Sequence, residues 1–136
     1  MTHYLPQTIK PLIGKTITAV DAIHESLVQV DFQDGTTVEI SVDGDCCSES
    51  IFYQIENRGG IGGTLQDVVE YEKEEADYEE DVIVKIKAGN FDIYIEQLSI
   101  WNVVLKTTTG DVLLRHVNSS NGYYDGSTSY RIIQPN

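Results

Sequence analysis

The sequence predicts a β-rich α+β domain, an antiparallel sandwich or partly open barrel with one short helix. Three observations point there. Short runs rich in Val, Ile, Thr and Tyr recur along the chain, separated by Gly, Asn and Asp turns. Hydrophobic residues make up 40% of 136, enough for a packed core and typical of a globular chain. Only one stretch carries helix-like spacing. The length fits a single domain spanning 1–136.

Thr16–His24, Leu27–Phe32 and Thr37–Val42 read as strands, the last two joined through Gln33-Asp34-Gly35-Thr36. Thr64–Tyr71, Ile100–Lys106 and Val112–Val117 read likewise, with Thr107–Asp111 as a turn, and Thr128–Ile133 closes the set. Residues 82–97 form the clearest hairpin. A Gly89-Asn90 turn there aligns Val84, Ile86, Ile93 and Ile95 on one face. The helix is expected over Glu49–Glu56, capped by Ser48 or Ser50, with Ile51, Phe52 and Ile55 on one side. Arg58-Gly59-Gly60 would supply its left-handed stop.

Two units resemble each other. Ile13-Gly14-Lys15-Thr16 with Val20 recurs 48 residues on as Ile61-Gly62-Gly63-Thr64 with Val68. Gly35–Val42 can be laid on Gly110–Val117 at an offset of 75. An internal duplication and a coincidence among short β-units both account for this, and both stay open at this point. Under duplication, the loops around Asp43–Ser48 and Asn118–Tyr123 would be equivalent.

The formal charge is −13, from 22 acidic and 9 basic residues. Eight of the acids lie in Glu70–Asp81, an insert with one lysine and a net −7. The other 124 residues carry only −6. The run reads as a solvated loop; a calcium loop would place a glycine near its middle. Such a field repels duplex nucleic acid and anionic membranes, yet a few local donors can still hold a small anionic ligand. The first ten residues carry no signal-peptide pattern, and no apolar run reaches the ~20 residues that span a bilayer.

The two cysteines, Cys46 and Cys47, are adjacent. Neighbouring Cα atoms lie about 3.8 Å apart, too close for an ordinary disulfide, so reduced thiols in a cytosol are expected. Three readings compete. Cys47 could be a nucleophile with His116 as base, or both thiols could join His116 on zinc, although adjacent thiolates diverge. Burial as small apolar residues is the third, and it is preferred. Asn118–Gly126 (NSSNGYYDG) is turn-forming throughout, but turn formation does not require Tyr123 and Tyr124. Beside Asn118 and Asn121, and with Arg115 leading in, they suit stacking and hydrogen bonding to a base or sugar. The single tryptophan, Trp101, reads as core. There is no P-loop, GxGxxG, HExxH or GxSxG, so support for an enzyme is poor and no cofactor or metal is implied.

LIGKTITAV, GDCCSES and NSSNGYYDG together resemble an uncharacterised family of small domains encoded mainly by bacteriophages and prophages. The resemblance implies a viral protein in a host cytoplasm and transfers no activity. The favoured expectation is a phage ligand-binding homo-oligomer that sequesters a cyclic nucleotide or cyclic ADP-ribose type immune signal. Its site would combine Cys46, Cys47 and Ser48 with Asn118, Asn121, Tyr123 and Tyr124, with Arg115 or Arg58 on phosphate. The alternatives are an acidic interaction protein that blocks a host factor through residues 70–81, and an enzyme using Cys47 or a metal.

Overall fold

Alternating apolar residues give the first meander its strands. In a computed structural model, Leu27–Phe32 buries every second side chain, with Val28, Val30 and Phe32 facing inward. The structure describes residues 2–3, 7–43, 48–72, 98–120 and 127–135. Among the described residues nine strands run in chain order: β1 (Thr2–His3), β2 (Ile17–His24), β3 (Leu27–Phe32), β4 (Thr37–Asp43), β5 (Ser48–Arg58), β6 (Leu65–Glu72), β7 (Leu98–Thr107), β8 (Asp111–Ser120) and β9 (Ser127–Ile133). They form two antiparallel sheets, ordered β1-β6-β7-β8-β5 and β2-β3-β4-β9. One apolar core drawn from both sheets fills the space between them, with Ile9 and Leu12 of a 3-10 turn (Gln7–Leu12) added to it. The architecture is the expected sandwich. Among the described residues, that 3-10 turn is the only helical element.

The helix expected over 49–56 is a strand. β5 pairs with β8 from Ser48↔Ser120 to Arg58↔Asp111. A register shift between Phe52 and Gln54 leaves Tyr53 as the extra residue of a β-bulge. The bulge turns the strand over, so Phe52 and Ile55, three apart, both face the core. That spacing imitates a helical stripe. Gly59 does adopt positive φ (+86°), but it ends a strand. The 82–97 hairpin lies outside the described residues, as does the acidic run beyond Glu72. The run's first members are strand: Glu70, Tyr71 and Glu72 pair with β7.

The duplication is visible in the backbone. The two IGxT units pair with each other antiparallel, through a Thr16↔Thr64 bridge whose hydroxyls lie 3.3 Å apart. The amides of Gly14 and Gly62 donate to the carbonyls of Leu65 and Ile17 (2.9 and 2.8 Å). The amides of Ile17 and Leu65 donate to those of Gly63 and Lys15 (3.0 and 2.8 Å). Every partner maps onto its counterpart at 48 residues, so a local two-fold axis runs between the threonines. β2–β3 and β6–β7 keep one register, with Ile17↔Phe32 answering Leu65↔Thr107, and both carry a bulge at the same place.

The second offset needs a correction. Phe32 and Thr107 close their hairpins by donating to Thr36 and Gly110, so the second turn is one residue shorter. β4 therefore maps onto β8 at 74, not 75, and Val38 matches Val112, not Leu113. A slip of one inverts the faces of a strand, and 74 is the offset that keeps core on core. Each half is then a three-stranded meander whose fourth strand crosses over. β5 leaves the first half to pair with β8, and β9 leaves the second half to pair with β4.

Gly14 and Gly62 hold φ of +93° and +99°, with open space where a Cβ would sit. Backbone conformation alone selects glycine there. Gly14→Ala and Gly62→Ala should each lower the urea-unfolding free energy by about 1–2 kcal/mol, and by similar amounts, because the two turns are equivalent.

Candidate functional site

Four strand ends define one end of the sandwich. Asp43, which ends β4, pairs with Ser127, which opens β9. Ser48, which opens β5, pairs with Ser120, which ends β8. Both sheet-to-sheet crossovers, 44–47 and 121–126, are therefore anchored side by side at this end. Cys46, Cys47, Asn121, Tyr123 and Tyr124 lie outside the described residues. Ser48 and Asn118 are placed by backbone only, Asn118 opposite Ser50 on one side and Ser99 on the other.

Arg115 sits elsewhere. It lies five residues from Ser120, about 17 Å along the strand. It shares the outward face of the five-stranded sheet with Gln54 and Asn102, its cross-strand neighbours. Its guanidinium donates to Glu56 (3.0 Å) and Gln54 (3.4 Å). Arg58 grips the same carboxylate, with Nε 3.1 Å from Oε1. The hydrogen bond from Arg58, with the charge of Arg115 added, holds the Glu56 carboxyl below its usual range. Both arginines expected to meet phosphate thus serve one glutamate, and an anion reaching them would have to displace it.

That outward face is itself buried. Ile51, Ile100, Val104, Leu113 and Val117 belong to it and are each at most 5% exposed, though none joins the core between the sheets. The runs VVL and VLL are the sequence signal of strands buried on both faces. On the inward side, Tyr130 of β9 donates a hydrogen bond to Glu70 of β6, tying the first acid of the charged run to the opposite sheet. Burial, then the nearby Glu70 carboxylate, raises the Tyr130 pKa far above the ordinary phenol value. Among the described residues, a small apolar cavity of about 10 Å³ in the core is lined by residues such as Leu12, Phe32 and Tyr130 and is too small for an organic ligand. Among the described residues, no three His, Cys, Asp or Glu side chains are grouped to hold a metal ion. Nor is any helix there long and apolar enough to cross a membrane.

One inward residue breaks the pattern of the core. His116 of β8 is 6% exposed, and among the described residues neither ring nitrogen has a hydrogen-bond partner. It lies between its cross-strand neighbours Trp101 and Phe52. The Trp101 ring is nearly parallel at 6.3 Å between centroids, and the Phe52 ring meets it edge-on at 5.7 Å. Sequence reasoning named His116 only as a partner for the cysteines, as a base for Cys47 or a zinc ligand with both thiols. Laying the repeat at 74 would have exposed it, because it then falls on Val42, a buried core valine.

Residues 10–130 match a domain of unknown function, DUF7448. The chain belongs to the DUF7448 family. The DUF7448 match takes in both IGxT turns, both crossovers and His116, and ends within β9. No curated protein and no solved structure matches the chain.

Burial lowers the His116 pKa to about 4, so the folded ring is neutral. An unfolded histidine titrates near 6.5, so between these values the unfolded chain binds more protons. The stability held by the neutral ring is complete above pH 6.5 and is lost as pH falls towards 4. The full difference is roughly 3 kcal/mol. Urea titrations should show wild type losing about that much relative to His116→Val across this range; parallel pH curves would contradict the assignment.

Proposed function

We propose that this chain is a phage-encoded small-ligand-binding protein, acting in a host cytoplasm as a homo-oligomer that sequesters a cyclic nucleotide or cyclic ADP-ribose type signal. The observation that supports it is the pairing of Asp43 with Ser127 and of Ser48 with Ser120, which anchors both unusual loops at one end. Those loops carry two thiols, several amides and hydroxyls, and two tyrosines, a set suited to holding a sugar and stacking on a base. With Arg115 and Arg58 engaged by Glu56, the ligand contacts fall to Cys46, Cys47, Ser48, Asn118, Asn121, Tyr123 and Tyr124.

A second reading has its own observation. Where the first half joins β2 to β3 through Glu25-Ser26 alone, the second half places residues 73–97 between β6 and β7. An acidic elaboration on so short a connection suits docking on a basic host protein.

Calorimetry with cyclic mononucleotides, cyclic dinucleotides and cyclic ADP-ribose separates the two. The binding reading expects heat with at least one, and at least tenfold weaker affinity in the Tyr123→Ala/Tyr124→Ala double variant. It also expects no change when Glu74, Glu75, Asp77, Glu79, Glu80 and Asp81 are converted to amides. Absence of heat across the whole panel would overturn it. The docking reading expects the amide variant to lose biological activity.

A further inference from the structure

The two-fold repeat gives the chain an internal control for its sheet edges. β2 and β6 are equivalent strands at the offset of 48, and each begins beside the Thr16–Thr64 bridge. Each pairs with the next strand of its own meander, β2 with β3 and β6 with β7. On its other side β6 is covered by β1, through Thr2↔Tyr71 and His3↔Glu70. The repeat carries Tyr71 and Glu70 onto Ile23 and Ala22 of β2. Among the described residues no strand lies there, and β2 ends the four-stranded sheet.

The side chains register the difference. Val69 and Glu70 are half-buried, whereas their counterparts Asp21 and Ala22 are exposed. Asp21–His24 is exposed throughout, and Ile23, at 52%, is the most exposed large apolar residue among those described. A free edge offers unpaired N–H and C=O groups, which proteins commonly guard with lysine or proline. β2 (ITAVDAIH) has neither. Its two bulges, at Thr18 and Ile23, bracket a regular stretch, Ala19–Ala22, and so limit the length of an added ladder. β6 shares the first bulge and still accepts β1.

We propose that the Ala19–Ile23 edge of β2 is a dimerisation surface, where a second copy of this chain adds its own β2 antiparallel and joins two four-stranded sheets into one. The interface supplies the homo-oligomer of the function proposed above and rests on that part of it. A strand paired with its own copy closes on a two-fold axis, so assembly stops at two. Centring the pairing on Ala22 brings a small side chain to the axis and keeps the two aspartates from lying directly opposite. Charge favours this edge as well. β2 carries one acid, while −7 of the net −13 lies in residues 70–81, in the other half of the repeat. Two copies therefore repel each other least along β2.

Sedimentation velocity of the full-length protein, from micromolar to millimolar concentration, should show monomer passing into dimer and nothing larger. Hydrogen exchange at the Ala19–Ile23 amides that point away from β3 should slow over the same range. Ala22→Lys and Ile23→Lys, both at exposed positions, should each weaken the dimer at least tenfold and leave the urea midpoint unchanged. If a variant fails to fold, the exchange of the wild-type edge amides decides. A dimer that survives both substitutions, or that leaves those amides fast, overturns this interface while the homo-oligomer stands. A monomer at every concentration overturns both. A monomer whose edge amides are slowed by a synthetic peptide of residues 1–10, which carries the β1 segment, also overturns the proposal, because the occupant is then an extended peptide and not a second copy.

Discussion

The architecture depends on the antiparallel contact between the two Gly-Thr turns. Four backbone hydrogen bonds and the Thr16–Thr64 bridge fix Ile17 and Leu65 side by side, and β2 and β6 diverge from that point into separate sheets. Both residues are at most 2% exposed and help to fill the middle of the core. Glycine at 14 and 62 lets each turn reverse, and the hydroxyls at 16 and 64 sit on the axis. Without this contact, two meanders with apolar faces would have no fixed angle at which to meet. It also fixes the far end, where the two crossovers must pass from sheet to sheet.

Much of the fold was legible because strand alternation is a local property. Leu27–Phe32 was placed without error, and β2, β4, β8 and β9 to within a few residues, from Val and Ile spacing and Gly turns. The helix over 49–56 failed for a definable reason. A single bulged residue at Tyr53 gave Phe52 and Ile55 a helical spacing, and only pairing with β8, a non-local fact, could settle the matter. The same kind of bulge gives Ile17–Val20 and Leu65–Val68 their three-residue spacing. There the surrounding β-branched residues kept the strand reading secure.

For the candidate site, sequence reasoning reached the juxtaposition of the two loop anchors but not the engagement of Arg115 by Glu56. That the two odd loops belong together follows from the repeat, and the strand ends bring their anchors together. Arg115 was assigned to them because it precedes Asn118 in sequence, but a strand separates what a sequence string makes adjacent. The net charge of −13 gave no hint that Glu56 already neutralises two of the few arginines. His116 was missed as a core anomaly because the Gly35–Gly110 alignment set the repeat one residue out of register.

The exchanged fourth strands set the order in which this chain can complete itself. β5 leaves the ribosome long before β8, the strand it must join. At 5–20 residues per second, that wait is about three to ten seconds. Throughout it, a strand with two aromatic and two isoleucine side chains has no ladder partner, while its own meander lacks the strand that borders it. The five-stranded sheet waits for β8 and the four-stranded sheet for β9. The first half is thus finished by the second, and the nascent chain carries an open sheet edge until β9 has been made.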